Sequence, residues 1–190
     1  PIKSLGGISV DSAFAEARGL KFDRHFLLVD ENTMFMTQRD FPQLALLKLS
    51  FTEKGFEVLN AKDNSLLTIP FESDSNKNIS VTIWDDVCKA VKLGNEFDVW
   101  FSNAIGKKCS LVYMPDDEKR IVEKKYISDE HIVSFADAYP FLIIGQSSLD
   151  DLNSRLEIPI PMNRFRTNFV FTGGNPFEED NWGDFKIGDV

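Results

Sequence analysis

Cysteine and histidine are nearly missing from this sequence, with two of each in 190 residues. His25 and His131 stand far apart, with no HxE or HExxH spacing around them, so they make no zinc signature. Cys88 and Cys109 are too few and too distant to form a disulfide framework. With no secretion signal in view, they point to a reducing, cytoplasmic setting. Neither belongs to a CxxC pair or sits beside a histidine, so both read as small core residues rather than reactive thiols. No apolar run approaches the roughly 18 residues of a membrane span. Positive charge is in deficit: 21 Lys and Arg face 30 Asp and Glu, for a net charge of -9 and a pI near 4.7. That balance excludes extended nucleic-acid binding, which needs a basic face against the phosphate backbone. No GK[ST] follows a glycine loop, and no GxSxG surrounds Ser147 and Ser148, so neither a Walker loop nor a hydrolase elbow is present. An initiator methionine is also absent, and Pro1 in its place leads us to expect that the start of the protein was lost.

What remains is a chain built to fold. Apolar residues make up 43% of it, with 17 phenylalanines, and its length suffices for one large or two small domains. Its first half reads as strands. An alternating pattern begins at Ser9 and runs to Ala17. Phe26 to Val29 and Met34 to Thr37 flank an Asp30-Glu31-Asn32 turn, and 44 to 51 with 55 to 59 forms a second hairpin. Leu66 to Ile69 is a strand stopped by Pro70. The polar stretch 72 to 78 is a loop and a soft boundary. Val81 to Trp84 and Val87 to Val91 flank an Asp85-Asp86 turn.

The first helix signal spans Asn95 to Ile105, where Phe97, Trp100, Phe101, Ala104 and Ile105 recur at 3-4 spacing before Gly106. Ser110 to Met114 is a strand, Pro115 to Asp129 a charged mobile loop, and Phe141 to Ile144 a buried strand. A short helix begins at Ser147, with Ser147 or Ser148 as N-cap and carboxylates in its first turn. Phe169 to Phe171 is a last strand. Many short strands with few helices predict an α+β, mostly β protein containing a barrel.

The richest polar cluster is Met162-Asn163-Arg164-Phe165-Arg166-Thr167-Asn168, which stands before that last strand, with an acidic loop and Trp182 beyond it. Guanidinium forks and carboxamides present planar, fixed donors and acceptors, suited to phosphates and heterocycle edges. In an acidic chain this suggests a small anionic ligand. Lys3-Ser4-Leu5-Gly6-Gly7 adds a cation, a hydroxyl and two glycines that let backbone amides approach an anion. The competing reading is a solvated lysine on a frayed terminus. Arg24, in Asp23-Arg24-His25, is either a phosphate clamp at a strand start or half of a surface ion pair. Arg39 is either presented by a hairpin end or part of a turn stabiliser. Phe135-Ala136-Asp137-Ala138 precedes a strand and could line a pocket.

Taken in order, Pro1 to Ser4, Gly19 to Arg24, Thr37-Gln38-Arg39 with Pro42, Phe135-Ala136-Asp137, Ser148 to Asn153, Arg164 to Asn168, Glu179-Asp180 with Trp182, and Ile187-Gly188-Asp189 resemble the MOSC superfamily. The likeness is to the branch holding the mitochondrial amidoxime-reducing component and the C-terminal domain of molybdenum-cofactor sulfurase. It implies a MOSC β-barrel fold, with an N-terminal β-rich module over residues 1–78 and a MOSC domain over 79–190. It also implies a molybdenum cofactor, a molybdopterin with a terminal phosphate, held by Lys3, Ser4, Arg24, Arg166 and Asn168, with Asp137 lining the pocket. Lys3, Arg24 and Arg166 would neutralise the phosphate, and Asn168 and Ser4 would orient the pterin. These groups are expected to converge on one cavity.

Thr167 stands where the family usually has proline. The family's metal-ligating cysteine falls beyond the Ile187-Gly188-Asp189 segment, so no metal ligand is expected within this chain, and a longer protein is. The activity implied is reduction of N-hydroxylated small molecules by an oxidoreductase served by an external electron-transfer protein. The rival reading is a sulfur carrier for metal–sulfur cofactor assembly. The bland one is a binding domain without chemistry.

Overall fold

The computed structural model describes residues 1–123 and 129–188, and divides the chain into two compact units, Pro1–Pro140 and Phe141–Val190. The protein is α+β and mostly β. Thirteen strands and two α-helices are formed among the described residues.

The first unit opens with two-residue strands β1 (Ala15–Glu16) and β2 (Gly19–Leu20), which pair antiparallel. The alternation expected from Ser9 yields only β1. Residues 9–14 are exposed, and only the Phe14 carbonyl, accepting from the Lys21 amide at 2.8 Å, continues the pairing; a period of two makes no strand without a neighbour to bond. β3 (Phe26–Val29) is buried along its whole length. Its return partner is reduced to a Val29–Phe35 bridge and a Met36 amide donating to the Leu28 carbonyl at 2.9 Å.

A 3₁₀ turn at Pro42–Leu46 leads into β4 (Leu47–Thr52), β5 (Gly55–Asn60) and β6 (Leu66–Pro70), an antiparallel meander. Gly55 is required there, because a Cβ would stand 2.1 Å from the Ile69 carbonyl oxygen. β7 (Asn78–Ile83) and β8 (Asp86–Lys92) form a tight hairpin around Trp84 and Asp85. With β9 (Ser110–Tyr113) they complete a four-stranded sheet in the order β3-β9-β8-β7.

Helix α1 occupies Asn95–Ile105, as its spacing predicts. Phe97, Phe101 and Ile105 recur every four residues and face the core. Glu96 and Asp98 favour the positive end of the helix dipole, and Gly106 ends the helix in the left-handed conformation at φ 75°. Asp98 ties it to β9, accepting from the Leu111 amide and the Ser110 hydroxyl, each at 2.9 Å.

Two apolar clusters pack the two faces of β3. One gathers Ile2, Leu5, Phe26, Leu28, Phe56 and Phe101; the other gathers Leu27, Val29, Val81, Val112 and Phe135. The charged stretch after Pro115 is not all loop. β10 (Arg120–Ile121) pairs with β11 (Ile132–Val133), because Arg120 finds buried carbonyls to bond. The mobility expected around 124–128 lies outside the described residues.

The second unit is smaller. β12 (Ile143–Gly145) runs parallel to β13 (Phe169–Phe171), and α2 (Gln146–Ser154) follows β12 directly. The strand expected from Phe141 begins two residues later, and Phe141 and Leu142 are exposed rather than buried. They precede a sheet of only two strands, too small to bury them. Gly145, not a serine, is the N-cap of α2, and no acidic residue lies in its first turn. Ser148 is instead engaged inside the unit, donating to Glu179 and accepting from the Phe177 amide.

Candidate functional site

The N-terminal segment is not frayed. Ile2 bridges Phe26 in parallel, and the Lys3 amide donates to the Phe26 carbonyl at 2.9 Å. Ile2 and Leu5 anchor in the core, so Lys3 is carried inside and left only 5% exposed. Its ammonium contacts the Asp137 carboxylate at 2.6 Å and lies 5.7 Å from the centre of the Phe35 ring. Burial pulls the ammonium down to about 8, against the Asp137 carboxylate, which holds it up. Arg120 and Arg24 are near enough to lower it further.

Ser4 takes a left-handed backbone, φ 68°, and its carbonyl accepts from the Gln38 side-chain amide at 2.7 Å. That conformation costs a non-glycine residue of order 1 kcal/mol, and such positions gather at ligand sites. Arg24 (φ 53°) and Arg166 (φ 56°) share it. Three of the six residues singled out for the cofactor are therefore held in a conformation that proteins rarely adopt without cause.

The expected Asp23–Arg24 ion pair exists, but it is not a surface pair, since both side chains are largely covered. The Arg24 carbonyl accepts from the Phe135 amide at 3.0 Å, and the Ser134 hydroxyl donates to the Asp23 carbonyl at 2.8 Å. These bonds lace the segment carrying Arg24 to the segment carrying Asp137. Desolvation pushes the Asp137 carboxyl up, but Lys3, the Trp84 indole N–H and Arg24 outweigh it and hold the group below its usual range.

Two residues that sequence reasoning passed over complete this cluster. Arg120, 6% exposed, donates to the carbonyls of Ser134, Ala136 and Asp137 at 3.0, 2.6 and 2.8 Å, and to Asp86 at 2.8 Å. It fixes the backbone from which Asp137 projects. Its only signal was an arginine inside a charged stretch beside the apolar pair Ile121-Val122. Trp84, at the tip of the β7–β8 hairpin, donates its indole N–H to the same Asp137 oxygen at 3.1 Å. The Arg39 guanidinium lies 5.6 Å from the centre of the Trp84 ring. Lys3, Arg24 and Arg120 are thus paired with Asp137, Asp23 and Asp86, a concentration of cations in a chain of charge -9.

Arg166 and Asn168 belong to the second unit. The Asn168 amide donates to the Leu142 carbonyl at 2.9 Å, and its side-chain oxygen accepts from the Leu142 amide at 3.1 Å. The Thr167 hydroxyl is within bonding distance of the Leu142 and Phe169 carbonyls, at 2.8 and 2.7 Å. It fixes by hydrogen bonds the backbone that a proline would have stiffened. Glu179 accepts from the Gly145 amide and the Ser148 hydroxyl, both at 2.9 Å, tying the acidic loop to the start of α2. Beside β13 lies an open apolar groove of about 610 Å³, lined by Ile143, Phe169, Phe171, Trp182, Phe185 and Ile187 among others.

Cys88 and Cys109 are both buried, and burial pushes each thiol up to about 11. Neither supplies a thiolate near neutral pH. Among the described residues no cluster of His, Cys, Asp and Glu could hold a metal ion, and no helix is long and apolar enough to cross a membrane. The donor set around Lys3 and Arg24 fits a phosphorylated ligand: buried or half-buried cations for the phosphate and an outward carboxylate for heterocycle N–H groups.

Comparison with known proteins gives the family. Residues 1–108 match the MOSC N-terminal beta barrel domain, and residues 130–190 match the MOSC domain. The chain belongs to the MOSC family. It is 33% identical to mitochondrial amidoxime reducing component 2 of Macaca fascicularis and of Homo sapiens, over 100% of this chain and 59% of either relative. It is 29% identical to the molybdenum cofactor sulfurase of Oryza sativa subsp. japonica, over 100% of this chain and 25% of that protein. The chain therefore spans less than two thirds of the length of these relatives.

Proposed function

We propose that this chain carries the cofactor-binding part of a molybdenum-cofactor oxidoreductase that reduces N-hydroxylated small molecules. The observation that carries the reading is the buried Lys3 ammonium, near enough to Arg24 and Arg120 to feel their charge, in a chain 33% identical to an amidoxime reducing component. Lys3 and Arg24 would take the phosphate of a molybdopterin, and charge-assisted bonds of this kind are roughly twice as strong as neutral ones. Ser4 would orient the pterin, and Asp137 would accept from its edge. When bound, the metal supplies two-electron chemistry, in which an N-hydroxyl compound takes two electrons and two protons and leaves as the amine and water. An external electron-transfer protein supplies the electrons. No residue of the chain is assigned as metal ligand, since both cysteines are inert by burial.

The test is the pterin and molybdenum content of protein made in a cofactor-producing host. Wild type is expected to carry pterin, and Lys3→Met to lose most of it. Wild type without pterin or molybdenum would overturn the reading.

A second reading is transfer of sulfur during cofactor assembly, favoured by the 29% identity to a molybdenum cofactor sulfurase across the whole chain. Single-turnover oxidation of reduced protein by hydroxylamine supports the reductase. Sulfane sulfur that can be transferred to an acceptor supports the carrier.

A further inference from the structure

The Lys3 site is already occupied from within. The Lys3 side chain is 6% exposed and that of its partner Asp137 is 74% exposed, a lopsided pair. Lys3 is fixed by its place beside Phe26 and Phe35, whereas the Asp137 carboxylate reaches it from the solvent side. One carboxylate oxygen, Oδ1, takes both the Lys3 ammonium at 2.6 Å and the Trp84 indole N–H at 3.1 Å. The other two cations of the cluster are matched in the same way, Arg24 by Asp23 and Arg120 by Asp86. The cluster is therefore neutral by pairing, and an incoming oxyanion must displace a carboxylate. Asp137 is the most exposed of the three: the Asp23 and Asp86 side chains are 24% and 50% exposed. Its main chain stays put in an exchange, because Arg120 holds the Asp137 carbonyl at 2.8 Å.

We propose that Asp137 is an exchangeable counter-ion on Lys3: the dianionic head of a phosphate monoester takes over the ammonium, the Asp137 carboxylate swings outward, and Trp84 loses its indole hydrogen bond. This deepens the proposed function and rests on its assignment of Lys3 to an anionic ligand, but not on pterin or molybdenum. The exchange breaks one ion pair and forms another, so its net gain is small in the wild type. Removing the carboxylate charge removes both the competitor and its repulsion of the phosphate. Repulsion between unit charges about 4 Å apart near a protein surface is worth a factor of ten or more in affinity.

The experiment is titration of the chain with inorganic phosphate and, separately, with glycerol 3-phosphate, read by calorimetry and by tryptophan fluorescence. Asp137→Asn is expected to bind at least one of the two about tenfold more tightly than wild type, and Lys3→Met in that background to abolish the gain. Tighter binding of the monoester points to an esterified ligand, and tighter binding of inorganic phosphate to the free ion. The wild-type fluorescence change is expected to vanish in Trp84→Phe. Trp84→Phe also loosens Asp137 and is expected to raise phosphate affinity about threefold, which keeps the proposal testable if Asp137→Asn does not fold. Phosphate binding unchanged or weakened in both Asp137→Asn and Trp84→Phe overturns it, as does a gain that survives Lys3→Met. Protein without pterin whose Asp137→Asn form still gains phosphate affinity would sink the cofactor reading and leave the exchange standing. Pterin-loaded protein without that gain would do the reverse.

Discussion

The two units hold their polar side chains by different means. In the first, the charges are built on a packed interior. Phe56, Phe101 and Phe135 are fully covered, and Lys3 and Arg120 are almost as deep. In the second, Leu149 alone of the described large apolar side chains is buried, while Phe141, Leu142, Ile158, Val170, Phe177, Trp182 and Phe185 are exposed. There the order comes from hydrogen bonds: Glu179 to Gly145 and Ser148, Asn168 to Leu142, Asn153 to Ile160. Burial fixes a charge by making every alternative position costly. Hydrogen bonds near solvent fix it only as firmly as water fails to compete, about 1 kcal/mol each. The first unit is thus expected to present its cations rigidly, and the second to open at lower free energy.

The sharpest way to break this contrast is to cut the same kind of group from each side. Phe101→Ala is expected to cost about 4 kcal/mol in denaturant unfolding, the range for an aromatic core truncation. Trp182→Ala, at a 36% exposed ring, is expected to cost about 1 kcal/mol. Equal losses would remove the distinction. Arg120→Ala is expected to cost about 3 kcal/mol, since it orphans three carbonyls around Ala136, and calorimetric melting would show it. Glu179→Gln tests the other regime. About 1 kcal/mol is expected, with faster amide exchange at Gly145 and little change within α1.

The smallest effect near neutrality belongs to His25. Burial, with Arg18 beside it, lowers its pKa from the usual 6.5 to about 4. The unfolded chain then binds a proton in this window that the folded chain refuses. Stability falls as pH drops from 6.5 toward 4 and is fully recovered above 6.5. His25→Gln is expected to flatten that slope, as urea titrations at several pH values would show.

Local signals were legible wherever a single element decided the outcome. The 3-4 spacing of Phe97, Phe101 and Ile105 with Gly106 gave α1 to the residue, and the apolar pairs around Lys54 and Asp85 gave their hairpins. Signals failed where a distant partner decides. Ser9 to Ala13 alternates but joins no strand among the described residues. Phe141 and Leu142 are apolar but fall just before a two-stranded sheet. Ser148 could cap α2 but is drawn to Glu179, 31 residues away. The site divides in the same way. Lys3 and Arg24 stood out by type and neighbours. Arg120 and Trp84 could not, because their importance comes from carbonyls and a carboxylate supplied by residues 134–137.

Lys3 and Arg24, both in the first unit, are proposed to hold the phosphate of a pterin. The decisive measurement is pterin stoichiometry, taken side by side for wild type, Lys3→Met and Arg24→Ala. Each variant alone is expected to lose most of the pterin while keeping its fold. Full pterin content in either folded variant would contradict it.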